Sequence, residues 1–264
     1  MYKAIFTSFF LLLSISVLAQ DDNKIFGTNE KIIARSGFIL TGNADFDIPG
    51  ANMAQRFGIS YRLGPGVLYK TSSNWLLGVK CDFILGGVVH QDSLMANIKD
   101  KYSVGDGSLY EFINNGGERI GVPVYERGYA VGIQVGKIIN FNKYHPDNGL
   151  ILLASSGFLQ HKIDIYDKDK TVQQLSGQYL KGYDRLTNGI FVEGYAGYVF
   201  FSSNKLLNFT LGGDGLFGFT RGRRAYLYDV MRPDTGKRLD ILFGLRGGWY
   251  IPMFKRKSED MLFE

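Results

Sequence analysis

The stretch WLLGVKCDFILGGVV, Trp75 to Val89, constrains the fold more than any other part of the chain, because it sets Lys80 and Asp82 inside an otherwise apolar run. On a β-strand, successive side chains point to opposite faces. Trp75, Leu77, Val79, Cys81, Phe83, Leu85 and Val89 then share one apolar face. Leu76, Gly78, Lys80, Asp82, Ile84, Gly86 and Val88 share the other, which carries both charges and the small residues. A soluble sheet with its apolar face on a core gives this alternation, and so does a membrane barrel with its apolar face on lipid.

The rest of the chain decides between the two. Seven more stretches have the same make: RSGFILTGN (35–43), RFGISYRLGPGVLYK (56–70), ERGYAVGIQVGKIINF (126–141), LILLASSGFLQHKIDIY (150–166), GIFVEGYAGYVFFS (189–202), LLNFTLGGDGLFGFT (206–220) and RLDILFGLRGGWYIPMF (238–254). Most exceed the roughly 5–6 residues of a globular strand and the roughly 9–11 that cross a bilayer at a tilt. The connections alternate between short (71–74, 142–149, 203–205) and long (44–55, 90–125, 167–188, 221–237), with both termini on the short side. That sorting predicts an all-β fold, an eight-stranded antiparallel up-and-down transmembrane β-barrel with long extracellular loops. Tyr69, Trp75, Phe141, Phe201, Phe209, Trp249 and Phe254 fall near the short-turn ends, where a periplasmic aromatic girdle is expected.

The N-terminus, MYKAIFTSFFLLLSISVLAQ, has an early Lys3, an apolar run and small residues before Gln20, the pattern of a secretory signal peptide over 1–19. The run is shorter than the ~20 residues a spanning helix needs. Residues 20–264 then read as one barrel domain, with strands over about 35–254 and a charged periplasmic tail, 255–264. One cysteine excludes an internal disulfide framework. The formal charge of +5 suits nucleic acid in a cytosolic protein. Export excludes nucleic acid and makes outer-membrane lipid, lipopolysaccharide and other envelope proteins the expected partners.

The two-residue parity rule sends the charges of the strands inward. Arg62, Lys80 and Asp82 follow from the first strands. Lys162, Asp164, Glu193 and Asp214 follow from the later ones, and Asp240 and Arg246 from the last. Eight strands enclose a space just wide enough for side chains, so these charges should pair and plug the lumen. A plugged lumen disfavours a general porin.

No catalytic site, metal or cofactor is expected. The three histidines, His90, His145 and His161, have no metal-ligand spacing, and there is no CxxC or HExxH. His161 reads as lipid-facing, and Ser155, of the same parity, lies six residues away, about 20 Å along a strand. No nucleophile for it can be identified, so a lipid-modifying enzyme or narrow channel ranks last among the readings.

The loops carry the remaining specificity. Segment 90–125 has room for a short helix near Ser93–Tyr102 or a hairpin cap. QYLKGYDRLTNG offers Tyr179, Tyr183 and Arg185 as amphipathic contacts. RGRRAYLYDVMRPDTGKR groups Arg221, Arg223 and Arg224 beside Tyr226 and Tyr228, a cluster suited to lipopolysaccharide phosphates.

The leader ending LAQ, the amphipathic strands and segments such as EGYAGYVFF and FGLRGGWYIPMF resemble the small outer-membrane β-barrel proteins of Bacteroidota, including PorT-like barrels. The resemblance covers nearly the whole mature chain and rests on pattern; the charged ending KRKSEDMLFE departs from the common barrel pattern. It implies the barrel fold, while members of that group differ in role, several being accessory subunits of secretion or assembly machines; the leading expectation for function is a non-enzymatic barrel serving as an accessory or interaction subunit of an envelope complex, for secretion or outer-membrane assembly. A stand-alone structural barrel binding lipopolysaccharide or external ligands is the alternative.

Overall fold

The computed structural model describes residues 34–254, apart from 92–93, 100–108, 143 and 203–206. The leader and the charged tail anticipated from the sequence lie outside the described residues. Nine strands form one antiparallel sheet: β1 (Gly37–Gly50), β2 (Ser60–Lys70), β3 (Trp75–Gly86), β4 (Leu109–Ile113), β5 (Arg119–Ile139), β6 (Gly149–Ile165), β7 (Thr187–Phe200), β8 (Phe209–Gly222) and β9 (Lys237–Phe254). β1 pairs with both β2 and β9, and β3 pairs with β5. Eight strands therefore close into a barrel, and β4 is a ninth strand paired with the outer part of β5. Closure leaves the wall without an edge, which a sheet in lipid requires because nothing there can satisfy an unpaired backbone group.

The alternation in the sequence becomes an inside-out protein. Leu77, Ile133, Ile190, Leu211 and Leu245 face outward and each keeps 60% or more of its surface exposed. Lys80, Asp82 and Arg62, one residue out of phase, are buried. Such an apolar exterior over a charged interior is the arrangement of a barrel solvated by lipid. Glycine allows the wall to close tightly where strands cross: a Cβ added at Gly78 would lie 1.9 Å from the Val67 carbonyl oxygen.

The interior is layered. At the short-turn end Ile39, Leu68, Leu76, Ile151, Tyr195, Val199 and Tyr250 pack into an apolar cluster. A second cluster fills the outer half and continues into the long loops, joining Met53, Phe57, Val89, Leu94 and Met95 to Tyr110 and Phe112 of β4 and to Val172, Leu175 and Tyr183. Burial of each large side chain there stabilises by roughly 1.5–3 kcal/mol. The loops over the outer mouth thus form a folded platform.

Two boundaries differ from the sequence reading. β1 runs on to Gly50 through Asp45 and Asp47, which look like loop residues because aspartate favours turns. Of the two options for segment 90–125, the hairpin cap is the one formed, by β4 and the start of β5. Residues 94–99 of that segment make turns and no helix among the described residues. Phe57, which strict alternation with Ile59 and Tyr61 would send to the lipid face, precedes β2 and is buried against the His161 ring, 5.6 Å between centroids.

Candidate functional site

Six strands send eight charged side chains into the middle of the lumen: Asp45 and Asp47 from β1, Arg62 from β2, Lys80 and Asp82 from β3, Glu193 from β7, Asp214 from β8 and Arg246 from β9. Arg62 donates from Nε and Nη2 to Asp47 at 2.6 and 2.9 Å and from Nη1 to Glu193 at 2.7 Å, and also pairs with Asp214. Arg246 donates to Asp45 at 2.6 Å and to Asp214 at 3.2 Å, and reaches Glu193. Lys80 contacts Asp82 at 2.6 Å and bonds Glu193. Glu193 is the hub, shared by three cations from three strands. Bidentate guanidinium–carboxylate pairing fixes these geometries more tightly than point charges would.

Two further tiers close the barrel above and below. On the outer side Arg56 donates to Asp240 at 2.6 Å, His161 Nε2 shares the other Asp240 oxygen at 2.9 Å, and Thr220 donates to it as well. Ser60 donates to Glu126 in the same tier. On the short-turn side the β5–β6 connection folds under the mouth. Its Asp147 accepts from the Arg35 backbone N–H at 3.0 Å, from Arg35 Nε at 2.7 Å and from Lys70 Nζ at 2.7 Å. Phe254 lies 4.8 Å from the Arg35 guanidinium and 5.7 Å from Lys70 Nζ, both within cation–π range.

Several expectations need correction. Lys162 and Asp164 face outward as an ion pair of 2.9 Å at the outer end of β6, and His161 faces the lumen instead of lipid. The inward set of β6 at that height includes Leu159, Ile163 and Ile165, which belong to the platform cluster, so the apolar face there is the inner one. Phe201 leaves the girdle: it is buried against Tyr250 and Phe254, while Phe200 takes the outward position beside Phe209. Tyr69, Trp75, Phe141, Phe209 and Trp249 are exposed on the outer surface. Phe254 packs against the short-turn cluster. The lumen residues missed in the sequence are Asp45, Asp47, Arg56, Glu126 and His161. The first two keep strict alternation with Phe46 and Ile48, a signal available in the sequence.

The loop residues are largely engaged with one another. Arg224 donates from Nε to Asp184 at 2.7 Å, Arg223 donates to Asn188, and Arg185 pairs with Asp229. The basic cluster is therefore partly neutralised from within, and Arg221 is the exposed member that makes no side-chain hydrogen bond or ion pair among the described residues. Tyr179, Tyr183 and Tyr226 surround Tyr228 with ring centroids 5.8 to 6.4 Å apart. Burial raises the Tyr183 hydroxyl above its ordinary range, offset in part by a hydrogen bond from Asn97. Tyr179 and Tyr226 remain exposed, while Tyr183 and Arg185 are buried.

No group of His, Cys, Asp or Glu among the described residues is arranged to hold a metal ion. The His161–Asp240 dyad lies within the closed interior, and its Nδ1 has no hydrogen-bond partner.

No family model matches the chain, and no curated protein matches it. Solved structures do resemble it. Neisserial surface protein A is similar with a TM-score of 0.41 at 10% identity, over 83% of this chain and 98% of that one. Ail, the attachment invasion locus protein of Yersinia pestis, solved with the heparin analogue sucrose octasulfate, gives 0.36 at 12%, over 83% and 99%. The outer membrane protein OprG from Pseudomonas aeruginosa gives 0.36 at 9%, over 83% and 96%. Likeness at these identities concerns the fold alone.

Proposed function

We propose that the protein is a non-enzymatic outer-membrane barrel that works by binding: a lipid-embedded, non-conducting scaffold presents its folded outer platform to other envelope proteins as an interaction subunit. The observation that carries this reading is closure at three levels, by the Asp147 clasp, the Glu193-centred plug and the apolar cluster continuous with the loops. A conducting barrel needs a wet path and an enzyme needs substrate access to its reactive groups; a plug of mutually bonded charges opposes both. The described residues of the long loops, in turn, pack into the outer cluster, as recognition loops held on rigid scaffolds do.

A second reading, a solitary surface barrel that binds lipopolysaccharide or an external ligand, is favoured by the exposed Tyr179 and Tyr226 and by Arg221. Two measurements separate the readings. The purified barrel should be silent in planar-bilayer recordings; steady single-channel currents would overturn the non-conducting scaffold. Extraction from native membranes in mild detergent should return a stoichiometric protein partner, and a barrel that always purifies alone refutes the subunit role and leaves the surface reading.

A further inference from the structure

The outer platform contains a cavity that the lumen plug does not account for. Its volume is about 540 Å³, and Arg185, Arg232 and Arg238 all line it, with Asp234, Thr235 and Leu227. Two of the three guanidiniums are only partly used. Arg238 donates to Asp234 at 2.7 Å and to Thr187 at 2.9 Å. Arg185 pairs with Asp229, yet its buried Nε has no hydrogen-bond partner, although the residue is only 8% exposed. Arg232 is exposed and has no side-chain partner among the described residues; only its backbone bonds, to Leu227.

Three arginines thus line one cavity against a single lining carboxylate, Asp234, which is paired with Arg238; Asp229, paired with Arg185, lies outside the lining. The Arg185 Nε is closed off from the cavity, so the donors open to a ligand are the unpaired Arg232 guanidinium and what Arg238 leaves over, and an oxyanion supplies the acceptor they lack. The backbone is held for this arrangement: Arg185 and Met231, the latter adjacent to Arg232, take left-handed φ values of 51° and 52°. Non-glycine residues adopt that region at a cost and persist there when the surroundings enforce it, as at ligand sites. Asp234 is seated so closely over Gly222 that a Cβ there would fall 2.2 Å from its Cγ, which positions Arg238 in turn.

We infer that this cavity is a binding site for a tetrahedral oxyanion, a phosphate or sulfate group, gripped by Arg232 with Arg238 and Arg185 forming the wall. Planar forks that converge from a loop, a turn and a strand suit a group with several equivalent oxygens better than a single carboxylate. The group belongs either to a soluble ligand or to a lipid headgroup at the outer leaflet, and both present the same chemistry.

The inference rests on the outer end being a recognition platform, but it fails separately, since anion binding and conductance are independent readouts. The test titrates inorganic phosphate and inorganic sulfate by calorimetry into the full barrel in uncharged maltoside micelles. Saturable binding is expected, weakened roughly tenfold or more in Arg232→Gln, the loss that one charge-assisted contact carries. Lys168→Gln, an exposed lysine of the outer loops outside the cavity, should leave it unchanged. In parallel, retention of lipopolysaccharide by the barrel is compared in nanodiscs made with and without it. Retention that Arg232→Gln abolishes assigns the site to the lipid headgroup, and phosphate or sulfate binding without such retention assigns it to a soluble ligand. No saturable binding in either setting, or equal losses in the two variants, overturns the inference.

Discussion

The plug makes an asymmetric prediction about its own members. In Arg62→Gln, Asp47 loses its only ion-pair partner among the described residues, since both of its hydrogen bonds there come from Arg62, and it remains buried against Gly244. Glu193 and Asp214 each lose one cation in the same step. An uncompensated buried charge costs about 3–5 kcal/mol when one partner of a pair is removed. Glu193→Gln removes the hub, yet every cation keeps a carboxylate: Arg62 keeps Asp47 and Asp214, Arg246 keeps Asp45 and Asp214, and Lys80 keeps Asp82. The amide also retains hydrogen-bonding capacity, so the cost should fall nearer 1–2 kcal/mol, that of a weakened charged hydrogen bond. Counting ion pairs alone, three at each residue, would instead rank the two variants as equal. Urea unfolding of the barrel in lipid vesicles, followed by tryptophan fluorescence, measures both. Asp47→Asn in the Arg62→Gln background should recover part of the loss. Equal costs for the two single variants, or no recovery in the double variant, would refute the pairing described here.

Other perturbations probe the wall, the girdle and the lower closure. Gly78→Ala should block barrel formation, seen as loss of the heat-modifiable band on gels, because its Cβ would lie 1.9 Å from a backbone oxygen; Gly194→Ala, with nothing within 4 Å, should fold normally. Trp75 and Trp249 both sit toward the short-turn ends with half their surface outward, so lipids brominated near the headgroup should quench them more strongly than lipids brominated at the chain ends. Asp147→Asn should loosen the short-turn mouth, speeding amide exchange over 140–148 and costing about 1–2 kcal/mol, chiefly through the buried Lys70 rather than the half-exposed Arg35.

The barrel was legible where one face meets lipid and the other meets charge. β3 is the clearest case, since Lys80 and Asp82 interrupt one face and leave the other apolar. β6 was not, because its inner face is apolar near both ends of the barrel, at Ile151 and Leu153 below and at Ile163 and Ile165 above. With both faces apolar over most of the strand, Lys162 and Asp164 suggest the wrong parity. They stand outward on the part of β6 that serves the platform. β4 could be anticipated only as one of two options for a long connection, a hairpin cap or a short helix, because five residues carry too little periodicity to choose, and what defines it is its pairing with β5. The cavity among Arg185, Arg232 and Arg238 depends on loops 47 residues apart in sequence and had no local signature. The arginine cluster that does stand out, at 221–224, is in large part tied to Asp184 and Asn188.

The plug also explains how this chain selects its register. Side chains alternate with a period of two, so a slip of one residue turns every inward group of a strand outward. In a soluble sheet the penalty is hydrophobic; in lipid the apolar exterior gives little preference between neighbouring registers except through what would be expelled from the lumen. A slip of β3 would send Lys80 and Asp82 into the hydrocarbon, at about 2–4 kcal/mol for a lysine near the midplane and less for the aspartate. It would also leave Glu193 with one cation fewer. The same holds for Arg62 on β2 and Arg246 on β9, whose partners lie on β1, β7 and β8. Six of the eight barrel strands are thereby tied to a common charge centre, with β5 and β6 set by the glycines that fit beneath their neighbours, such as Gly157, where an added Cβ would fall 2.0 Å from the Val131 oxygen. Filling the lumen and specifying the strand register are then one property of the same buried ions.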